Sequence, residues 1–425
     1  MFERGLVEDA LNYSMAVLSK LISIPTVSPA GEHYEEAAEL LARELDSLGF
    51  NVEVIRVPGD YQATRCPEAG GNPRFIVFAR LGDSGRRLHF NGHYDVVPGG
   101  SGWTVTEPFK PVVREGRLYG RGAVDMKGGI AATLGAFKLI RSSGYRPRLV
   151  VEAGFVPDEE IGGRCGTGYL VEYMGRAPDY VLIPEPSGLK APWHGHRGLL
   201  WVTVKVKGLS AHASTPWLGR NAFLLASQVA LELQRMMSSV YPARRSKYRV
   251  EPVEASMPTA MIGGVAGVVG GGKTNQVPGE FMFTIDRRLI PEESVAGALE
   301  ELRAMIAWAT HLVGADYELK VDYSAEPAIN EPGELYEALR EAAEQAGVMI
   351  GEPVVCPGGL DMWYYTRAGS KALAYGPEYR TAHAPDEHIS LEELEKLIQV
   401  YANLIVALDR RIEGGRGNLL SPGRL

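Results

Sequence analysis

Leu88–Pro98 reads LHFNGHYDVVP, a short apolar run that ends in a His-x-Asp pair, His93 and Asp95. The run predicts a buried strand, and the pair falls just past its carboxyl end. Open α/β sheets place their chemistry there. Residues two apart on an extended segment point the same way. The Asp95 carboxylate is therefore within reach of the His93 ring, and a carboxylate of this kind orients metal-bound imidazole. His-x-Asp alone is weak. It gains force only if other acidic and histidine residues follow other strands.

Outward from this stretch the same texture repeats. Phe75–Leu81 and Asn51–Val57 read as strands before it. After it, Asp125 heads a helix that begins near Gly128, Arg148–Val156 runs into Asp158-Glu159-Glu160, and Tyr180–Ile183 runs into Pro184-Glu185. Leu6–Leu21, Gly31–Leu48, Leu335–Ala346 and Leu391–Arg411 have helical periodicity, and Ala372–Tyr375 is a further strand. Strands apolar on both faces that alternate with helices predict an α/β fold, a largely parallel sheet with helices on both faces. Pro58–Pro73 is expected to be loop.

The texture changes near Trp193. Leu199–Lys207 alternates apolar and polar residues, as a half-exposed strand does. The helix at Asn221–Val240, strands at Thr259–Gly264 and Glu280–Asp286, helix at Ser294–Val313 and strand at Tyr317–Tyr323 follow. That order is the ferredoxin-like split α+β pattern. Residues 193–325 are thus expected to form an inserted domain, and residues 1–192 with 326–425 a discontinuous catalytic domain.

Composition limits the function. The chain has 425 residues, 45% hydrophobic and 23% charged, an ordinary globular balance that suggests two domains. A net charge of −8 argues against nucleic-acid binding. No apolar run is long enough to span a bilayer. Cys66, Cys165 and Cys356 are few and far apart, so no disulfide is expected and a cytoplasmic setting is.

Five residues that follow strands or head a helix carry ligand chemistry: His93, Asp125, Glu160, Glu185 and His383. Imidazole with carboxylate suits Zn2+, with Co2+ or Mn2+ as alternatives. Three carboxylates and two histidines exceed what one zinc ion usually takes. Two ions bridged by Asp125 balance the charge better. Glu159 neighbours Glu160 but points elsewhere, which leaves it free as general base and then general acid.

GHYDVVP, GRGAVDMKGG, PDEEIGG, IPEPS and HAPDEHIS resemble, in order, the motifs of the M20-type dizinc amidohydrolases. The family includes acetylornithine deacetylase, succinyl-diaminopimelate desuccinylase, aminoacylase and glutamate carboxypeptidase. The resemblance implies that His93 and Glu185 hold one ion, that Glu160 and His383 hold the other, and that Asp125 bridges. It implies a cis peptide after Asp125 and hydrolysis of an N-acyl amino acid, or alternatively of a dipeptide or a carboxy-terminal residue. It also implies a homodimer formed through the inserted lid, whose His212 reaches a partner's active site to stabilise an oxyanion. Asn275 and Arg287 would then bind a substrate carboxylate, with Arg197, Gly358 and Gly359 as further substrate contacts. The alternative for Arg287 is an ion pair with Asp286 or Glu280. Two positions depart from the desuccinylase pattern: Thr215 stands where a Tyr is expected, and Tyr379 where an Asn is.

Gly267–Thr274, GVVGGGKT, fits the phosphate-loop pattern letter for letter. The pattern needs a following helix. Pro278 and the alternation Phe281, Phe283, Ile285 point to a strand instead, so no nucleotide site is expected.

Overall fold

A computed structural model describes residues 2–417, with side chains through Arg411. The carboxy-terminal stretch GRGNLLSPGRL, residues 415–425, which its composition predicts to be frayed, lies mostly outside these residues. The chain divides into two compact units. One comprises residues 1–194, 330–353 and 360–425, the other residues 195–329 and 354–359.

The first unit is built on a sheet in which Asn51–Arg56, Phe75–Leu81, Val150–Val156, Arg87–His93, Tyr180–Ile183 and Lys371–Ala374 lie side by side in that order. The last four are mutually parallel. Phe75–Leu81 joins them antiparallel, and Asn51–Arg56 pairs antiparallel on its outer edge. Val150–Val156 is buried along its whole length, as expected of a strand covered on both faces.

The covering layer explains the glycines after Asp125. Helix Lys127–Ser142 is sandwiched in the core and packs with helices Arg4–Ser23 and Leu391–Gly417. A Cβ on Gly129 would lie 2.2 Å from the carbonyl oxygen of Pro184, and one on Gly135 would lie 2.1 Å from Ser14 Oγ. Only glycine lets this helix approach the turn that presents Glu185.

The second unit has a four-stranded antiparallel sheet in the order Thr259–Val268, Glu280–Leu289, Gly198–Lys207, Asp316–Ala325. Helices Ala222–Val240 and Val295–Val313 cover one face, where Val202, Val204, Ile285, Leu233 and Leu302 form a separate core. The Asn221 side chain caps the first helix and that of Ser294 the second. Gly267–Thr274 ends in a turn followed by strand Gln276–Val277, so no helix follows it as the phosphate-loop pattern requires.

Two expectations are corrected, and one element is new. Pro58–Pro73 contains a helix, Gly59–Arg65, and a short helical turn at Pro67–Ala69. A hairpin, Val112–Arg114 with Arg117–Tyr119, was not foreseen. Cys66 and Cys165 form a disulfide, 99 residues apart. Their sequence positions gave no hint because the pairing depends on two loops meeting beside the sheet. Among the described residues, no helix is long and apolar enough to cross a membrane.

Candidate dimetal site

The four parallel strands end on one edge, and the candidate ligands gather there. His93 is the last residue of its strand and is buried. Its Nε2 lies 3.1 Å from Asp125 Oδ1 and 3.5 Å from Glu185 Oε1. Asp125 turns its other oxygen to His383, whose Nε2 is 3.3 Å away. The same His383 nitrogen is 3.0 Å from Glu160 Oε1. Two triads that could each hold a metal ion result, His93–Asp125–Glu185 and Asp125–Glu160–His383. Within each, one donor atom per residue lies within 4.8 Å of the others. Asp125 is common to both, and the peptide bond after it is cis.

Glu159 belongs to neither triad. Its nearest approach to a ligand ring is 4.0 Å, Oε2 to His93 Nε2. Burial and the Glu185 carboxylate raise its pKa well above the ordinary carboxyl range. Burial and Asp125 do the same to Glu185, and burial raises Glu160. Hydrogen bonds with Asp125 and Glu160 push the His383 ring up to about 10. His93 is raised too, because its bonds to Asp125 and Asp95 outweigh burial. Asp125 alone is held low, since hydrogen bonds from both rings overcome its burial. A cluster that retains protons on rings and buried carboxyls has more anionic donors than its own cations can balance. That donor set fits two divalent ions.

Asp95 does more than face His93. Its carboxylate is 3.4 Å from Nδ1 of the ring, and its backbone carbonyl oxygen is closer, at 3.0 Å. Its two side-chain oxygens accept the backbone N–H groups of Glu159 and Glu160, each at 3.2 Å. One buried residue thus sets both a ligand ring and the turn that bears the free carboxylate.

That turn is anchored from behind by residues the sequence did not single out. Asp158 adopts a left-handed conformation (φ 65°) and is buried against Arg74, with Nε donating to Oδ2 at 2.8 Å. Tyr34 donates to its other oxygen at 3.1 Å. Thr167 donates to Asp361 at 2.5 Å, Tyr364 donates to the Gly162 carbonyl at 2.8 Å, and Cys165 carries the disulfide.

The remaining sequence-derived residues lie in the second unit. His212 is exposed, its Nδ1 2.7 Å from Ser214 Oγ. Asn275 is exposed and accepts the Ala213 N–H through its backbone carbonyl. A Cβ on Gly359 would lie 2.2 Å from Leu199 Cδ1, so that glycine serves close packing, and the Gly358 N–H points to Cys356 Sγ. Arg197 is buried and donates to the Met257 and Arg288 carbonyls and to Thr259 Oγ1. Arg287 requires a correction. It is fully buried, donates to Glu293 at 2.6 Å and stacks on Tyr241. An ion pair does occupy it, but the partner is Glu293 and not the expected Asp286 or Glu280. The strand parity explains this: Phe283, Ile285, Arg287 and Leu289 all face the core. The outward arginine is Arg288, paired with Asp286.

A parallel sheet whose strand ends gather two triads around a shared carboxylate, with an unshared glutamate beside them, defines a metal-dependent hydrolase. Comparison with known proteins agrees. The profile of peptidase family M20/M25/M40 matches residues 89–407. The chain is 30% identical to the succinyl-diaminopimelate desuccinylase of Cupriavidus taiwanensis, over 94% of this chain and 100% of that one. It is 29% identical to the enzyme of the same name from Alkalilimnicola ehrlichii, over 93% and 99%. Among solved structures it is similar in fold to an M20 family metallo-carboxypeptidase from Sulfolobus solfataricus, with TM-score 0.74, 21% identity and coverage of 93% and 99%. A di-peptidase from Saccharomyces cerevisiae gives TM-score 0.75 at 17% identity, over 96% and 98%. The chain belongs to the M20/M25/M40 peptidase family. It is a metal-dependent amidohydrolase or peptidase.

Proposed function

We propose that this protein is a dizinc hydrolase that cleaves the amide bond of a small N-acyl amino acid, with a desuccinylase- or deacetylase-type substrate. The observation that carries the reading is the pair of triads sharing Asp125, with Glu159 beside His93 and a member of neither triad. His93, Asp125 and Glu185 would hold one ion, and Asp125, Glu160 and His383 the other. Two such ions supply a lowered water pKa and a polarised carbonyl. Glu159 takes a proton from the attacking water and returns it to the departing amine nitrogen. Its buried setting suits this role, since a raised pKa brings a carboxyl closer to neutral operating pH. Asp95 keeps Glu159 in reach by holding its N–H.

The names of the relatives support the deacylase reading, and their near-complete overlap with this chain adds to it. The second unit acts as lid and dimer contact, and His212 donates to the oxyanion in a partner's site, where such a donor contributes roughly 3 kcal/mol. A metallodipeptidase or carboxypeptidase is the second reading, favoured by the names of the structural neighbours.

Glu159→Gln tests the mechanism. Turnover should fall by about 10²–10⁴-fold with metal content unchanged, and retained activity overturns the assignment. A panel of N-succinyl and N-acetyl amino acids with dipeptides, run with zinc, cobalt and manganese, separates the two readings.

A further inference from the structure

Two buried residues outside the ligand set lie where the segments bearing Asp125 and His383 meet. Strand Arg117–Tyr119 pairs with strand His388–Ser390, which brings these segments side by side. The ladder stops short of both ligands. Beyond it stand Arg121, 2% exposed, and Glu387, 0% exposed. Arg121 Nη1 donates to Glu387 Oε2 at 2.7 Å. The other oxygen, Oε1, accepts the N–H groups of Val124 at 2.8 Å and of Asp125 itself at 3.1 Å. Arg121 Nη2 donates to the carbonyl oxygen of His383 at 3.2 Å and to those of Pro98 and Gly99, each at 3.3 Å. Nη1 also reaches the Ala384 carbonyl at 3.3 Å. The guanidinium lies over the Trp103 ring, 5.5 Å from its centroid.

One ion pair therefore grips the backbone of a shared ligand, the backbone of a ligand found in one triad only, and the loop that follows His93 and Asp95. Stability alone does not account for it, because a buried ion pair is often no better than apolar residues of the same volume. What it supplies is geometry. The planar fork fixes several carbonyl groups at once, and a lysine cannot. Partners behind metal ligands typically change affinity by about 10–100-fold.

We propose that the Arg121–Glu387 pair is a positioning device that sets the separation of Asp125 and His383 and so completes the triad Asp125–Glu160–His383. The proposal rests on the two-metal reading above. It predicts a larger defect at the triad that contains His383, because the pair bonds directly to the His383 backbone and reaches the other triad only through Asp125 and the loop after His93.

The test is a Co2+ titration of the full chain followed by visible absorption, comparing wild type, Glu387→Gln, Arg121→Met and His383→Ala. Both pair variants should bind one equivalent within about threefold of wild type and the second about 10–100-fold more weakly. Their one-cobalt spectrum should match that of His383→Ala. Folded variants that bind both equivalents as wild type does overturn the proposal and leave the two-metal reading standing. A wild type that binds no cobalt overturns the two-metal reading instead. Hydrogen exchange on the unaltered chain covers the case of variants that do not fold. The amides of Val124 and Asp125 should be strongly protected with and without metal, and rapid exchange at both overturns the proposal.

Discussion

The carboxylate of Glu160 lies 3.0 Å from Nε2 of His383, although 223 residues separate them. No shared strand or helix holds the two together. They meet because a loop after one parallel strand and a loop near the carboxyl end of the chain arrive at the same sheet edge. His383 is also half exposed, while His93 is buried. The two triads therefore differ in accessibility as well as in composition.

Removing His383 should empty one site and spare the other. For His383→Ala, metal analysis after dialysis should give close to half the wild-type content, and His93→Ala should do the same by emptying the other triad. Loss of both ions in either variant would argue against separate triads.

Metal loading should release protons. His383 is pushed to about 10 by its bonds to Asp125 and Glu160, so the metal-free ring carries a proton at neutral pH. His93, Glu160 and Glu185 are shifted upward as well. Ligation needs neutral imidazole and ionised carboxylate. The sign follows: acid competes with metal, and apparent affinity climbs with pH by roughly tenfold per unit for each proton displaced. A pH indicator in weak buffer reads the protons directly, and the slope of affinity between pH 6 and 9 counts them.

The Cys66–Cys165 disulfide should be worth several degrees of thermal stability. A loop of 99 residues is closed by it, and the chain-entropy estimate for such a loop is about 4–5 kcal/mol. Cys165 also belongs to the segment that bears Glu159. Cys66→Ser or a reducing agent should therefore lower both the unfolding midpoint and turnover, measured by calorimetry and initial rates. An unchanged midpoint on confirmed reduction would contradict the estimate.

If His212 works across a dimer, two dead chains should rescue each other. Glu159→Gln mixed with His212→Ala should regain part of the activity in heterodimers that contain one intact composite site. Confirmed heterodimers with no recovery would count against action in trans.

The candidate ligands that the structure brings together were legible because local pattern suffices for them. His93, Glu160 and Glu185 each follow an apolar strand closely, and Asp125 precedes a glycine-rich helix start. The supporting residues were not. Arg74 with Asp158, Cys66 with Cys165 and Arg121 with Glu387 are partnerships across the chain, and no periodicity specifies a partner. Two misses were avoidable. The burial parity of Phe283, Ile285 and Leu289 already placed Arg287 in the core. Glu115-Gly116, both with positive φ, is a two-residue hairpin turn. The short helix Gly59–Arg65 is different, because it buries Gln62 alone and offers no apolar stripe to read.

The strand Lys371–Ala374 sits between Tyr180–Ile183 and Trp193–His196, inside the sheet and not at its rim. On the ribosome that slot stays vacant until the whole intervening stretch from Tyr180 to Lys371 has been translated, and His383 emerges later still. The amino-terminal segments, though synthesised first, must wait with an open seam while the intervening unit is made. Assembly of the reactive centre is thus among the last events of biogenesis, and a prematurely terminated chain is born without it.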